Sequence, residues 1–398
     1  MSPPRPSRPV FKYYAYKATA SVGLSIPVWV LFLRANGLSF TEIMVLDAIW
    51  WVGITLGEVP TGWVGDRIGW KNSLVVGNAL RAVAVVAMGA SGTFWALAGI
   101  YLLWALGSTL QSGSTDAWLY EVLDRGDDGD TDDFTGIRGR GQSLTLAFGA
   151  AGAVAGGYLG EVSLRWPFYA TGVLWTLGVL VLLTFPSVSV DDDDRITAAD
   201  AIPVLRERLL SVELRGFVLW VAVVLAVASA TSRLTQPVAV DLGVPQAWLG
   251  WLYGGFTLLA AGASYRAGWI RERFGLLGWV TVAPAVLGVT LAVVLVAPVA
   301  ALPAFVLLRA VKAPTSTLAT QYVNDRIETA GRATVLSGVS MVNAVVAIPF
   351  GVAVGRVADA SQYLSLGLAG LALVLLAGVA SLRLAGSVTD VRAAQEAD

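Results

Sequence analysis

The stretch Gly62-Trp63-Val64-Gly65-Asp66-Arg67-Ile68-Gly69 returns 206 residues later as Gly268-Trp269-Ile270-Arg271-Glu272-Arg273-Phe274-Gly275, with six of eight positions identical or chemically close. Gly37 and Gly243 keep the same offset. At an offset of 205, Leu102-Leu103-Trp104-Ala105-Leu106 lies on Leu307-Leu308-Arg309-Ala310-Val311, and at 192 Gly139-Arg140 lies on Gly331-Arg332. Three matches at equivalent apolar stretches mark a duplicated chain. The smaller third offset fits a longer loop in the first copy.

What surrounds the repeat belongs in a bilayer. Of 398 residues 56% are apolar and 14% charged, with a mean hydropathy of +0.68, whereas a soluble domain carries about 25% charged residues. Spans of roughly 20 apolar residues cross a membrane, and twelve are read here: 11–34, 41–64, 73–94, 97–121, 140–161, 166–186, 215–239, 246–270, 276–298, 301–323, 331–355 and 361–385. They are called spans 1 to 12. Span 1 is too long for a cleavable signal and lacks a small-residue cleavage site before Arg34, so it reads as retained. The predicted fold is an all-α membrane protein of two pseudo-symmetric six-helix halves, 1–186 and 215–398, joined by a linker at 187–214. Two such halves predict a cavity at their interface and rocking of one half against the other.

The basic residues set the orientation. With the N-terminus cytoplasmic, nineteen of the 27 Lys and Arg residues fall on the cytoplasmic side, and only Arg34, Arg165 and Arg356 fall outside. Both termini are then cytoplasmic, in a multi-pass protein of the plasma membrane. The acidic runs within 122–139 and at Asp191-Asp192-Asp193-Asp194 read as solvated linkers.

Gly62 to Gly69 with Trp70-Lys71 resembles the signature of the major facilitator superfamily between helices 2 and 3, Gly-x-x-x-Asp-Arg-x-Gly-Arg-Lys, with Trp70 in place of the Arg. Arg165-Trp166-Pro167-Phe168-Tyr169 and Arg332-Ala333-Thr334-Val335-Leu336-Ser337 also resemble family segments. The resemblance implies a twelve-helix secondary transporter working by alternating access. In that family the Asp meets the N-terminus of helix 11, where a carboxylate suits the helix dipole; Asp66 takes this place, and Glu272 the equivalent place against helix 5. The gating set is thus Gly62, Asp66, Arg67, Gly69, Lys71, Arg140, Gly268, Glu272, Arg273, Gly275 and Arg332, together with Glu121 and Arg125. The last two are four apart and suit a local ion pair; the family also brings Glu121 to Arg67.

Charges inside the spans cost several kcal/mol each unless paired or facing water, so they are candidate function. Ser39-x-x-Glu42 is the exception, a capping box at the start of span 2. Asp47 and Glu58 are eleven apart, close to three turns, and share a face of span 2. Asp116 lies in the polar run Gln111-Ser112-Gly113-Ser114-Thr115-Asp116 of span 4. Without histidine or cysteine, any coupled proton falls on Asp47, Asp116 or Glu58. Spans 1, 4, 7 and 10 line the cavity in the family, which makes Lys17, Gln111, Asp116, Arg233, Arg309 and Lys312 candidates to meet substrate. Arg309 and Lys312 are three apart and share a face. Arg81 in span 3 has Asp47 and Asp116 as possible partners. The cationic excess hints at an anionic or neutral substrate.

The missing residue types exclude thiolate, imidazole and disulfide chemistry, so no catalytic constellation, metal site or cofactor is predicted. Proton-coupled exporters of the superfamily carry an Arg in helix 4 and Gly-Pro at the end of a Gly-rich segment in helix 5. Here Trp104 takes the Arg position, and Gly149 to Gly160 keeps the glycines without the Pro. By analogy with compact twelve-helix members, the first expectation is a proton-coupled exporter of a drug- or metabolite-like solute, functional as a monomer. The alternative is uptake or exchange of an organic anion, and a non-transporting sensor on the same fold is a third. Partners are a small-molecule substrate, protons and the lipid bilayer, with no nucleic acid.

Overall fold

A computed structural model describes residues 7–20, 22–125, 133–187, 212–326 and 332–395. The side chains of Val59, Asp66, Val212, Glu213, 332–334, 336, 337 and 382–395 lie outside the described set, as do both acidic runs apart from Asp124 and Asp133. Among the described residues every regular element is helical. Among the described residues, ten helical stretches are long and apolar enough to cross a membrane. The other two spans depart from that pattern for visible reasons. Span 1 is broken between Arg8–Ala20 and a short 3-10 turn Ile26–Val28 that continues as Trp29–Ala35. Span 8, Trp248–Tyr265, is a full 18-residue helix diluted by tryptophan, tyrosine and glycine.

Span 2 is one helix from Phe40 to Ile68. At 1.5 Å per residue it is about 43 Å long, more than the roughly 30 Å hydrocarbon core, so the Gly62–Gly69 motif lies at one end of it. Span 3 follows as Trp70–Ala90, and span 5 is Phe134–Val162, beginning six residues before the sequence limit. Span 6 is Trp166–Leu183. Span 9 runs Ala267–Val293 with a kink at Gly275, span 10 is Ala301–Asn324, span 11 is Arg332–Ala360 and span 12 is Gln362–Gln395.

The duplication is written in the backbone. Gly69 (φ 79, ψ 159) and Gly275 (φ 66, ψ 164) make the same left-handed turn 206 residues apart, a conformation that costs glycine little and other residues much. Gly37 and Gly243 both have φ 87, at the same offset. The aromatic anchors repeat too, since Trp63 and Trp269 are each 57% exposed, as suits indoles at a membrane interface.

Two further spans are broken where hydropathy reads them as continuous. Span 4 divides into Phe94–Gln111 and Ser114–Asp124 around Gly113, whose φ is 74. Span 7 divides into Val212–Ser232 and Thr235–Asp241 at Arg233-Leu234.

Contacts sort the chain into two units. The first holds spans 1 to 6 except Ser39–Met44, and takes in Val244–Leu258 at the start of span 8. Its core joins Tyr13, Tyr16, Leu74, Trp118, Ile137, Leu182 and Phe185, with Trp118 stacked on Phe185 at 3.9 Å. Glycines let its backbones meet: a Cβ on Gly157 would lie 2.4 Å from the Ala247 carbonyl oxygen, and one on Gly250 would lie 2.5 Å from that of Ala153. The second unit holds the remaining spans with Ser39–Met44, and one of its cores joins Leu214, Val218, Val323 and Val335.

Candidate functional site

The two copies of the repeated motif have different surroundings. In the first, the helix carries Gly62 through Ile68, and Gly69 turns the chain into span 3, where Lys71 is half-buried in the first turn. The Arg67 guanidinium lies over the Trp63 ring, 3.6 Å from its centre. Glu121 and Arg125 form the i, i+4 ion pair at 3.3 Å. The structure therefore gives Arg67 an aromatic partner and Glu121 a local one, and does not bring the two together. In the second copy Arg271, absent from the expected set, pairs with Asp325 at the end of span 10 at 3.4 Å. Glu272 and Arg273 are exposed. A cleft of ≈ 460 Å³ beside Gly275 is lined by Arg271, Gln321, Tyr322, Asp325 and Arg326. Gly62 and Gly268 are exposed, and a Cβ on either would meet nothing within 4 Å. Arg140 is exposed on span 5, while the Asp66 and Arg332 side chains lie outside the described ones.

Deeper in the first unit the polar groups of spans 3, 4 and 6 form a chain. Arg81 donates to the Gln111 side-chain oxygen and its guanidinium lies 4.3 Å from the centre of the Trp175 ring. Gln111 in turn donates to Asn78 Oδ1 at 3.1 Å, and Asn78 Nδ2 donates to the Trp175 carbonyl at 2.6 Å. Neither Asp47 nor Asp116 takes the place of partner to Arg81. Asp116 instead pairs with Arg138 at 2.9 Å, both side chains well exposed. Arg138 lies on span 5, which begins earlier than its apolar run. Lys17 lies 5.6 Å from the Tyr13 ring centre.

The first unit also holds an aromatic cluster. Trp29 packs against Trp104 at 5.0 Å and Phe168 at 5.3 Å, and Trp50 stands 6.0 Å from Trp104. Trp29 Nε1 donates to the Tyr101 hydroxyl at 2.7 Å. Trp104 thus joins an aromatic core in which Tyr101 and Phe168 are fully buried. Glu58 is exposed and Asp47 half-buried on span 2.

The second unit concentrates positive charge. Lys312 is half-buried on span 10, and the charges that act on it are those of Arg309 and Arg233, both cationic. Arg233 sits at the break in span 7, so the broken helix presents it. Among the described residues no carboxylate pairs with Lys312.

One carboxylate that composition and motif do not single out is Asp359, near the end of span 11. Its two oxygens accept from the Phe40 N–H (2.6 Å), the Thr41 N–H (3.2 Å) and the Thr41 hydroxyl (2.6 Å), capping span 2. The Ser39–Glu42 capping box closes the same turn, with Ser39 N–H on Glu42 at 2.7 Å and Glu42 N–H on Ser39 Oγ at 3.1 Å. A Cβ on Gly355 would lie 2.9 Å from the Phe40 carbonyl oxygen, so the glycine permits the approach that the Asp secures. A helix cap is worth about 1 kcal/mol. Asp359→Ala is expected to lower the melting temperature slightly and to speed amide exchange at residues 39–44, measured by mass spectrometry. Unchanged exchange there contradicts the cap.

Comparison with known proteins agrees with this architecture. The family model described as Major Facilitator Superfamily matches residues 18–348. The uncharacterized MFS-type transporter YxaM of Bacillus subtilis (strain 168) is 28% identical over 260 residues, which span 62% of this chain and 63% of that relative's length. Among solved structures, the nucleoside transporter NupG superposes with a TM-score of 0.71 at 14% identity, covering 94% of this chain and 96% of its own. A bacterial homologue of the human lysosomal transporter Spinster, inward-facing and unoccupied, reaches 0.71 at 13% identity over 96% of both chains. A D-xylose-proton symporter reaches 0.61 at 14% identity over 92% of this chain and 94% of its own. At these identities the likeness is one of fold.

Proposed function

The chain belongs to the major facilitator superfamily, and from that premise we propose that it is a secondary active transporter for a small organic anion. Lys312 carries this proposal: a half-buried ammonium whose charged neighbours, Arg309 and Arg233, are both cations. A half-buried ammonium with cationic neighbours is costly inside a membrane span, and an anion beside Lys312 offsets that cost. The protein works by alternating access as a monomer in the plasma membrane, with both termini cytoplasmic, and its halves 1–186 and 215–398 rock about the 187–214 linker.

Proton-driven export is the second reading, favoured by the carboxylates Asp47, Asp116 and Glu58 within or beside the spans. Proteoliposome flux under imposed proton or sodium gradients separates the cases. Organic anions are expected to move and cationic drugs to be excluded; strict preference for cations overturns the anion assignment.

Asp66 and Glu272 act at the two motif ends as latches on the neighbouring helix termini. Asp66→Asn is expected to fold and reach the membrane at wild-type levels while transport falls several-fold. Wild-type flux in Asp66→Asn vesicles removes the latch.

A further inference from the structure

The cleft beside Gly275 in the second unit is cationic in a way that the duplication does not require. Arg271 falls on Gly65 at the offset of 206, and Arg326 falls on Glu121 at the offset of 205 that aligns spans 4 and 10. The first copy thus has a glycine and a carboxylate where the second has two arginines. Both arginines line the cleft. A role shared by the two motif copies accounts for neither.

Neither guanidinium is used to capacity. Arg271 meets Asp325 at 3.4 Å, long beside the roughly 2.7–2.9 Å of a strong charge-assisted bond. Arg326 donates to the Tyr322 carbonyl of its own helix at 3.3 Å, and its guanidinium lies 3.5 Å from the centre of the Tyr322 ring. Stacking occupies the face of a guanidinium and leaves its N–H edge for an acceptor. Among the described lining residues two guanidiniums stand against one carboxylate, Asp325, so the cleft carries a positive excess. Its depth follows from span 10, whose 24 residues make a helix about 36 Å long, more than the roughly 30 Å hydrocarbon core. Asp325 and Arg326, just past the end of that helix, therefore lie at the level of the lipid headgroups. The rest of the lining is apolar: Leu318 is 1% exposed, while Phe274 and Leu277 are 48% and 50% exposed. A Cβ on Gly275 would meet nothing within 4 Å, so the turn leaves the space open.

A cationic rim at headgroup depth beside exposed apolar side chains matches the two parts of a phospholipid. Phosphate oxygens accept paired bonds from a guanidinium, and basic pockets between membrane helices hold acidic headgroups. The excess charge is neutralised by a phosphodiester whose headgroup carries no cation of its own. We propose that Arg271 and Arg326 clamp the phosphate of an acidic phospholipid, of the phosphatidylglycerol type, with its acyl chain laid against Phe274 and Leu277. The site involves no transported solute, so it stands or falls independently of the anion assigned to Lys312.

The test uses the full-length protein, purified in detergent and delipidated. Its melting temperature is titrated with dioctanoyl phosphatidylglycerol, dioctanoyl phosphatidylcholine, glycerophosphate and sodium phosphate at matched ionic strength. Phosphatidylglycerol is expected to stabilise the wild type well beyond the other three. Arg271→Gln combined with Arg326→Gln is expected to weaken its binding at least tenfold, since a hydrogen bond to a charged group is worth roughly tenfold to a hundredfold. Arg266→Gln, at an exposed arginine outside the cleft lining, is expected to keep wild-type affinity. If the double variant does not fold, the single variants decide: weakening in either supports the site, and wild-type affinity in both overturns it. Equal stabilisation by the two lipids overturns the acidic headgroup. Stabilisation by either free phosphate as strong as by the lipid overturns the lipid in favour of a soluble phosphate. A loss in Arg266→Gln as large as in the cleft variants reduces the effect to general surface charge and overturns the site.

Discussion

Lys312→Met is expected to reduce flux of any transported organic anion by at least tenfold while the protein still folds and inserts. Methionine keeps the length and the apolar stem of lysine, and removing a half-buried charge whose charged neighbours are Arg309 and Arg233 removes repulsion. The variant is therefore expected to be at least as stable as the wild type. What it loses is the charge-assisted contact with the anion, worth about 1.5–3 kcal/mol or roughly tenfold to a hundredfold. Lys312→Arg keeps the charge and is expected to retain part of the flux. The opposed directions make the experiment decisive: a purely structural lysine gives a stability change with unchanged flux per folded molecule. That outcome, measured in proteoliposomes with protein amount normalised, would sink the anion assignment.

The duplication is legible in the chain because two constraints act on the same few residues. The glycines at 69 and 275 are needed for a left-handed turn, and the surrounding charges for a membrane face, so both copies kept them at one offset. The helical breaks are not legible in the same way. Hydropathy averages over a window, and Arg233 or Ser112-Gly113 in an apolar stretch barely lowers the mean. Yet these breaks, in spans 1, 4 and 7, decide which side chains are presented. A residue such as Gly113 can equally be read as a helix-packing contact, and only its φ of 74 makes it a terminus.

Partners across the fold are less legible still. Arg81 looks in sequence for a carboxylate, because burying a lone charge is costly. The structure gives it a ring and an amide, which depend on how spans 3, 4 and 6 pack. The close pairing of spans 3 and 4 is set by Gly77 and Gly107, where a Cβ on either would lie 2.7 Å from the other's carbonyl oxygen. Asp359 is missed for a related reason. At the end of an apolar run a carboxylate reads as a solvated terminus, and nothing local shows that it caps a helix 318 residues away.

Span 5 gives the second large effect, because there the glycines are structural in the strictest sense. The break in span 1 puts the Leu24 carbonyl against Gly156, and a Cβ there would lie 1.9 Å from that oxygen. Backbone cannot step aside as a flexible side chain does. Gly152 one turn earlier is gentler, since a Cβ would meet the Val22 side chain at 2.5 Å, a contact that rotation of the valine can relieve. Overpacking costs about 1–3 kcal/mol where neighbours adjust, and more where they do not. Gly156→Val is therefore expected to abolish folded protein in the membrane, seen as loss of a monodisperse peak in detergent extracts. Gly156→Ala is expected to lower the melting temperature by many degrees, and Gly152→Ala by only a few. The contrast between the two alanine variants is the measurement that matters. Equal tolerance at both positions means that span 1 does not hold its break against span 5, and the surface presented by Trp29 then needs another support.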